Sequence, residues 1–352
     1  MTSNGKRSAQ SYLADFKADP TNAPLALYAG AALHEAGRID EALAVWTLGD
    51  DANPALRSVR HHPQANQEMR ALSTLADDEI CRHFNTLYQT TLDRAETAAA
   101  GDGAMARLRD GVWLYYHQGP PVYRHRLQRP EIYYVPDLPA TPIHPADSVQ
   151  GAQAITAAFD AIAREYRAAL ADGAPSEPYV HAGTPGAQWR KLAGAADWSA
   201  MYLFYNAQKT ENVEKFPETI AALENALLLQ KDGGPIEVFF SRLKPGAHIP
   251  PHCGLTNTRL TVHLPIVAPD GCSIRVGDAI HEWRERALVA FDDSFEHEAW
   301  NKSGEERVVL IFEVHHPDLT AAERAAISNV YDAFDSWVAS RTATLGMAGA
   351  GA

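Results

Sequence analysis

The chain has 352 residues, and its 31 Lys and Arg against 44 Asp and Glu give a formal net charge of −13 at pH 7. This acidic balance argues against nucleic acid as a partner, because phosphate-binding surfaces are rich in basic side chains. The contents of 46% hydrophobic and 21% charged residues are typical of a globular protein and exclude wholesale disorder. At roughly 150 residues per domain, we expect about two domains.

Three features of the sequence bear on where the protein works. Lys6 and Arg7 are not followed by an apolar run, so the N-terminal segment predicts neither a secretory signal nor a transit peptide. No stretch approaches 18 uninterrupted apolar residues, which argues against stable insertion in a membrane. The cysteines Cys81, Cys253 and Cys272 are odd in number and sparse, as is usual in a reducing compartment. We expect a cytoplasmic protein.

Residues 1–118 are predicted to form an α-helical region. Between Leu25 and Pro54, small residues stand where two helices would approach closely, and Gly37 stands at the turn, a pattern that resembles one tetratricopeptide repeat. Residues 64–99 predict one or two further helices stacked on it. About three repeats are needed to bury a continuous core, so a helical cap on the next domain is favoured over a peptide-binding solenoid.

A segment dense in Pro and Tyr, residues 119–145, forbids long helices and marks the entry to a second domain. Apolar residues at helical spacing then predict a helix around residues 155–166. A second helix is predicted around residues 220–227, behind Pro217, which suits the first turn of a helix.

From Ile236 to about His316 the chain consists of short β-rich runs separated by Pro, Gly and Asp, which is typical of a sandwich or a barrel. The runs are IEVFFSRL, RLTVHLPIV, CSIRV, ALVAF and RVVLIFEV. The chain after Pro317 predicts a C-terminal helix, and residues 341–352 predict a flexible tail.

One of these runs has a polar face. Strand alternation places Arg259, Thr261 and His263 on one side of the run RLTVHLPIV and its apolar residues on the other, so the polar side is suited to line a cavity. His252 follows two prolines in a stiffened turn, and His297 lies in a polar turn after the run ALVAF. Two neutral imidazoles on adjacent strand ends suit a first-row metal such as Fe(II), Zn(II) or Ni(II).

The sequence around these two histidines resembles the aspartyl/asparaginyl β-hydroxylase family of Fe(II)- and 2-oxoglutarate-dependent oxygenases. The motifs are SRLKPGAHIPPHCGLTNTRLTVHLPIV, DGCSIRVGD and FDDSFEHEAWNKSGEERVVLIFEVHHPDLT, with QRPEIYYV, DWS and KFPET upstream. The resemblance implies an α+β fold: a double-stranded β-helix (jelly-roll) oxygenase core with flanking helices in residues 119–340, preceded by the tetratricopeptide-like region.

The resemblance makes His252 and His297 the iron ligands. Most enzymes of this chemistry add an Asp or Glu two residues after the first histidine, which completes a facial triad of two histidines and one carboxylate. Gly254 stands at that position here. The family shares this gap and is thought to fill it with water.

The resemblance also assigns the site of the cosubstrate 2-oxoglutarate. Arg307 would hold its distal carboxylate through two parallel hydrogen bonds, with Ser241 beside it and His263 near the metal-bound end. Thr261 stands where the pattern of the animal enzyme has a second arginine, so the affinity or pose of 2-oxoglutarate is expected to differ. Without the resemblance, a surface salt bridge to a neighbouring glutamate is the simpler interpretation of Arg307.

The reaction implied is hydroxylation of an unactivated C–H bond with Fe(II), 2-oxoglutarate and O₂, which releases succinate and CO₂. The family name indicates the β carbon of an Asp or Asn residue in a peptide or protein. A lipid acyl chain or a free amino-acid derivative remains an alternative substrate. The residues that match the substrate side of the family are Phe204, Asn206, Arg259 and Asp293.

Two other classes of function stay open. A tetratricopeptide-like interaction protein with a degenerate oxygenase core would need no metal, but both histidines, Ser241 and Arg307 are present. A zinc hydrolase built on the same two histidines lacks a glutamate in an HExxH arrangement to act as its base. The identity of the metal and the binding of 2-oxoglutarate distinguish the three.

Overall fold

The structure is a computed structural model that describes residues 7–99, 103–119, 121–184 and 186–347. The chain divides into two compact units. The first contains residues 1–105, 116–120 and 325–352, and the second contains residues 106–115 and 121–324. Among the residues described, no helix combines the length and the apolar character needed to cross a membrane.

The first unit is α-helical. Its helices are α1 (Ala9–Ala18), α2 (Ala23–Glu35), α3 (Ile39–Ala52), α4 (Gln67–Ala98) and most of α9 (Ala321–Thr344). The side chains of Asn22 and Asn66 cap α2 and α4 by accepting backbone N–H groups of the first turn. The predicted helix pair is confirmed, with Gly37 between α2 and α3 at a φ of 74°. Residues 67–98 form one long helix, and the tetratricopeptide character of the region stays a prediction.

Helix α9 belongs to the first unit, whereas the sequence predicts it as the end of the domain at residues 119–340. Its Phe334 and Trp337 meet Phe84 of α4 edge-on, each with ring centroids 5.0 Å apart. The structure also corrects the prediction that residues 341–352 form a flexible tail. The helix continues to Thr344, and Leu345 is buried. Residues 348–352 of the predicted tail lie outside the described part of the chain.

The second unit combines short helices with many strands. Its helices are α5 (Ala106–Arg109), α6 (Ala152–Ala157), α7 (Phe159–Ala171) and α8 (Pro217–Leu223). Its first strands are β1 (Val112–Trp113), β2 (Tyr133–Tyr134), β3 (Ile143–His144), β4 (Glu177–Pro178), β5 (Trp198–Tyr205), β6 (Gln208–Lys209), β7 (Gln230–Lys231) and β8 (Gly234–Pro235). The following strands are β9 (Val238–Leu243), β10 (His248–His252), β11 (Arg259–Val267), β12 (Cys272–Val276), β13 (Ala279–Glu282), β14 (Val289–Phe291), β15 (His297–Asn301) and β16 (Arg307–His315).

Strands β9 to β16 form two antiparallel sheets between which the chain passes repeatedly. The larger sheet has the order β3-β14-β11-β16-β9-β5-β4, with β6 beside β5, and the smaller sheet has the order β10-β15-β12-β13. Consecutive strands β9, β10, β11 and β12 alternate between the sheets, as do β13, β14, β15 and β16. This is the strand order of a double-stranded β-helix, so the predicted α+β jelly-roll core is confirmed.

Because side chains alternate along each strand, one face of the larger sheet packs in a hydrophobic core and the other face carries polar residues. Leu260, Val262 and Leu264 of β11 pack in a hydrophobic core with residues of α6, α7 and α8. The alternate residues of β11 lie on the other face, and Thr261 is paired with Phe291 of β14 on one side and Glu313 of β16 on the other. The prediction of one apolar and one polar face for this strand is confirmed.

The structure adds strands that the sequence does not predict, notably β5, β10 and β15. His252 was expected in a turn because Pro250 and Pro251 precede it. Both prolines instead lie in β10, an edge strand of the smaller sheet, where a missing N–H is tolerated. The expected turn before His297 ends earlier, and His297 is the first residue of β15.

Two buried histidines of the second unit meet where β16 ends. The rings of His144 and His316 are perpendicular, with centroids 5.2 Å apart, and His316 has no exposed surface. Its Nδ1 accepts a hydrogen bond from the backbone N–H of Asp318 at 3.2 Å. Burial lowers the pKa of His316 to about 4, and burial also lowers the pKa of His144.

The buried His316 predicts a loss of stability in mild acid. An unfolded histidine takes up its proton near pH 6.5, whereas His316 in the folded protein does so only near pH 4, so stability falls as the pH drops through this window. We expect the wild type to lose about 3 kcal/mol more unfolding free energy between pH 6.5 and pH 4 than His316→Asn. Urea unfolding at a series of pH values measures this difference, with the exposed His62→Asn as control. Parallel pH profiles for wild type and His316→Asn would refute it.

Candidate active site

Strands β10 and β15 hold His252 and His297 opposite each other. A β-bulge between Ile249 and His252 adjusts the register so that the two histidines are paired, with ring centroids 4.1 Å apart. Nδ1 of His252 donates to the carbonyl of Pro250 at 2.8 Å, and Nδ1 of His297 donates to the carbonyl of Phe295 at 2.9 Å. In this tautomer Nε2 carries the lone pair, which is the form that binds a metal ion.

The electrostatics of the pair also suit a metal. Burial, reinforced at His252 by the neighbouring imidazole, lowers the pKa of both rings to about 4, so both are neutral at pH 7. Within the described residues, no group of three or more His, Cys, Asp and Glu side chains is arranged to hold a metal ion. Two neutral imidazoles are suited to bind a first-row metal ion.

The position two residues after His252 has no room for a side chain. A Cβ built on Gly254 would lie 2.3 Å from both Cγ and Oδ2 of Asp293. The backbone N–H of Gly254 donates to the carbonyl oxygen of Asp293 at 2.7 Å, which holds the two segments together. The carboxylate of Asp293 thus fills the space that a ligand side chain at position 254 would need.

Asp293 is anchored on one side only. Its Oδ2 accepts a hydrogen bond from the hydroxyl of Thr261 at 3.2 Å. Its Oδ1 is buried and has no hydrogen-bond partner among the described residues. Thr261, which was expected to influence cosubstrate binding, therefore has its hydroxyl committed to a protein carboxylate.

Arg307, the first residue of β16, carries a buried guanidinium. The residue is 1% exposed, its Nη1 donates to the carbonyl and the hydroxyl of Ser241 at 3.2 and 3.1 Å, and its Cζ lies 4.7 Å from the centre of the Trp283 ring. The alternative of a surface salt bridge is wrong, since Glu306 pairs with Arg242. No carboxylate in the described part of the chain forms an ion pair with Arg307.

An unpaired buried cation is costly unless a ligand compensates it. Burial lowers the pKa of Arg307 to about 10, which still leaves the guanidinium charged at pH 7. Beside it, burial holds the pKa of His263 well below its usual value, so this imidazole is neutral, and its Nδ1 has no hydrogen-bond partner in the described structure. The pair is suited to receive an anion.

These side chains surround one cavity of about 520 Å³. The predicted site residues that line it are Asn206, Ser241, His252, Arg259, Thr261, His263, Asp293, His297 and Arg307. Phe204 is the exception and packs in the hydrophobic core of the unit. Simple alternation along β5 would have placed it on the cavity side with Trp198, but a bulge between Tyr202 and Phe204 turns it to the other face.

Sequence reasoning missed several residues of the cavity wall. Glu313 shares the alternation of Arg307 in β16, and Glu237 shares that of Ser241 in β9, so strand periodicity could have identified both. Tyr179 and Trp189 lie outside the predicted strands, and nothing in the local sequence identifies them. Arg259 lies between two carboxylates, 2.9 Å from Glu313 and 3.7 Å from Asp293.

Comparison with known proteins relates this region to one family. Residues 156–317 match the family model described as aspartyl/asparaginyl beta-hydroxylase. The mouse protein named aspartyl/asparaginyl beta-hydroxylase is 40% identical over 141 residues, which are 39% of this chain but only 18% of the mouse protein. The rat aspartate beta-hydroxylase domain-containing protein 2 is 29% identical over 263 residues, which are 71% of this chain and 73% of the rat protein.

Among solved structures, a prolyl-4-hydroxylase of Pseudomonas putida aligns with 46% of this chain and 86% of its own, at 15% identity and a TM-score of 0.28. A TM-score this low supports no inference about the chain. The chain spans less than a fifth of the mouse protein described above.

The contact between Gly254 and Asp293 predicts a strong coupling between the two positions. Gly254→Ala must push the Asp293 carboxylate aside and should lower the free energy of unfolding by about 1 to 3 kcal/mol. Adding Asp293→Ala frees the space, so the double variant should lose less than the sum of the single changes. Urea unfolding of the metal-free protein measures this cycle.

The control for this cycle is Gly304→Ala, since a Cβ at Gly304 meets no atom within 4 Å. Additive losses in the cycle, or an equal loss for Gly304→Ala, would show that the carboxylate does not fill this space.

Proposed function

We propose that the chain, whose residues 156–317 match the family model described as aspartyl/asparaginyl beta-hydroxylase, is an Fe(II)- and 2-oxoglutarate-dependent dioxygenase of this family that hydroxylates an unactivated C–H bond. The observation that carries the proposal is the buried guanidinium of Arg307, which has no ion-pair partner among the described residues and lines the same cavity as His252 and His297. Such a cation fits the distal carboxylate of a dicarboxylic keto acid, and the two neutral imidazoles fit the metal that the keto acid would chelate.

Each group of the cofactor set has residues suited to it. His252 and His297 would bind Fe(II) through Nε2. Arg307 and the hydroxyl of Ser241 would bind the distal carboxylate of 2-oxoglutarate, with His263 near its metal-bound end. When bound, iron and 2-oxoglutarate supply the oxidising chemistry, in which O₂ is consumed, succinate and CO₂ are released and a C–H bond is hydroxylated.

The protein fixes the groups that would hold these molecules before they arrive. The carbonyls of Pro250 and Phe295 hold the two imidazole rings in the ligating tautomer. Ser241 is itself fixed, because its Oγ accepts a hydrogen bond from Nε1 of Trp198 at 3.0 Å. The ring of Trp283 over the guanidinium limits the directions in which Arg307 can present its remaining N–H groups.

Aromatic side chains near the histidines would limit the access of water to the metal. The ring centroid of His252 lies 5.1 Å from that of Trp189 and 6.4 Å from that of Trp198. A reactive metal centre needs such shielding, because water and the protein itself compete with the substrate for oxidation. The apolar wall thus supports an oxidation site over a simple binding site.

The proposed substrate is an Asp or Asn residue of a peptide or protein, hydroxylated at its β carbon, which the names of the related proteins support. Asn206, Arg259 and Asp293 line the same cavity and are the proposed substrate contacts. A non-catalytic adaptor would gain nothing from a buried guanidinium without a counter-ion, so this feature supports an enzyme.

Anaerobic titration of metal-free protein with Fe(II) and then 2-oxoglutarate tests the cofactor assignment. We expect the visible charge-transfer band of a chelated keto acid in the wild type and no band in His297→Ala. Arg307→Ala should need about 10 to 100 times more 2-oxoglutarate, because it loses charge-assisted hydrogen bonds worth about 1.5 to 3 kcal/mol. The control is Arg242→Gln, which removes an arginine paired with Glu306 outside the cavity.

The absence of a band from the correctly folded wild type would contradict the iron and 2-oxoglutarate assignment. If Arg307→Ala and Arg242→Gln required equal concentrations of 2-oxoglutarate, only the role proposed for Arg307 would be contradicted.

A further inference from the structure

The cavity has a cationic end and an anionic end. Arg307 and Glu313 lie on the same strand, β16. Because they are six positions apart and side chains alternate between the faces of a strand, both line the cavity. Six residues of extended strand span about 20 Å. Strand β9 runs antiparallel to β16. Its Ser241 lies beside Arg307, and Glu237, the residue just before the strand, lines the cavity four residues earlier. Glutamates therefore lie at the end far from the proposed 2-oxoglutarate site.

Negative charge exceeds positive charge at this anionic end. Its carboxylates are Glu237, Asp293 and Glu313. The guanidinium of Arg259 forms ion pairs with Asp293 and Glu313, and its charge also acts on Glu237, so one cation faces three carboxylates. Glu237 has no hydrogen-bond or ion-pair partner in the part of the chain that the structure describes. Asp293 is 8% exposed, and its buried Oδ1 is equally without a hydrogen-bond partner there. The Glu237 carboxylate and Oδ1 of Asp293 thus have no hydrogen-bond donor among the described residues.

Burial dominates the titration of these groups. It raises the pKa of Glu237 and Asp293, although the Arg259 guanidinium lowers both. Burial also raises the pKa of Glu313 to about 7 against the lowering effect of Arg259, and the charges of Asp293 and Glu237 add to this rise. A bound cation would relieve this cost, whereas a bound carboxylate would add to it.

Aromatic rings form part of the wall of the same cavity. Tyr179 stacks on Trp198 and Phe239 with centroid distances of 4.0 and 5.4 Å, and all three line the cavity. Burial raises the pKa of Tyr179, and the charges of Glu237 and Glu313 raise it further. Aromatic faces combined with carboxylates form a favourable environment for a cationic nitrogen.

We propose that the substrate carries a positively charged nitrogen, an ammonium or guanidinium group, that binds between Glu237, Asp293 and the ring of Tyr179. The inference rests on the proposed function and narrows its substrate class. The hydroxylated residue has a cationic neighbour, either its own free α-ammonium group or an adjoining Lys or Arg side chain. An isolated Asp side chain is then a poor substrate, because its carboxylate meets an excess of like charge.

Titration with a matched pair of small probes tests the cation site directly. Butylguanidinium and its neutral analogue butylurea are titrated into metal-free protein and into the anaerobic protein loaded with Fe(II) and 2-oxoglutarate, with calorimetric detection. We expect wild-type protein to bind butylguanidinium at least ten times more tightly than butylurea. Glu237→Gln should lose about tenfold in this affinity, which corresponds to about 1.4 kcal/mol.

Two further variants complete the design. Glu305→Gln removes an exposed glutamate away from the cavity and should leave butylguanidinium affinity unchanged. Asp293→Asn keeps the shape of its side chain and should weaken binding as Glu237→Gln does. Equal affinity for the two probes, absence of butylguanidinium binding, or an unchanged affinity in both cavity variants would overturn the proposal.

Three peptides then identify the source of the charge. Asn-Gly-Gly amide has a free α-ammonium group, acetyl-Asn-Lys-Gly amide has a lysine side chain, and acetyl-Asn-Gly-Gly amide is the neutral reference. Hydroxylation is detected as the mass increase of one oxygen atom. Faster hydroxylation of either cationic peptide supports the proposal, and equal or faster hydroxylation of the neutral peptide overturns it. If butylguanidinium binds but no peptide is hydroxylated, the cation site stands and the proposed function fails.

Discussion

The candidate active site depends on the register between β10 and β15. Side chains of a strand alternate between its two faces, so a slip of one residue would turn either His252 or His297 away from the cavity. The bulge before His252 sets this register on an edge strand that contains two prolines. Hydrogen bonds from the rings to backbone carbonyls two residues earlier in the chain then fix the tautomer of both imidazoles. Backbone pairing thus determines the geometry of the proposed metal ligands.

Around this pair, the larger sheet distributes charge along the cavity by strand periodicity alone. Strand β16 carries Arg307 at its start and Glu313 near its end. The antiparallel β9 contributes Ser241, and Glu237 directly precedes that strand. A dianionic cosubstrate and a cationic substrate group would then bind at opposite ends of one cavity. Each end would repel the ligand of the other end, so the arrangement favours one orientation of the reactants.

The sequence predicts the parts of this structure that local periodicity determines. The runs RLTVHLPIV and CSIRV coincide with β11 and β12. Phe204 shows where periodicity fails, since a single bulge in β5 reverses the face of the residue that follows it. The attachment of α9 to the first unit depends on contacts of Phe334 and Trp337 with a residue about 250 positions earlier, Phe84, and no local pattern encodes them.

The sequence predicts which charged residues reach the site only in part. The type of residue at Arg307 suggested a surface ion pair, and only its burial in the fold shows that its charge is unmatched. Glu237 and Glu313 could have been found from alternation with Ser241 and Arg307. Tyr179, in contrast, directly follows the two-residue strand β4, which no pattern in the sequence predicts.

The contacts of Asp293 limit how this site could change by mutation. The carboxylate of Asp293 occupies the space beside Gly254 and accepts a hydrogen bond from the hydroxyl of Thr261, so the three residues depend on one another. A carboxylate introduced at Gly254 would collide with Asp293, so one substitution cannot build a third protein ligand there. A lineage could reach a site with a ligand at position 254 only through an earlier change at Asp293. The order of mutations, and not the chemistry of the metal alone, would then preserve a site with two histidines.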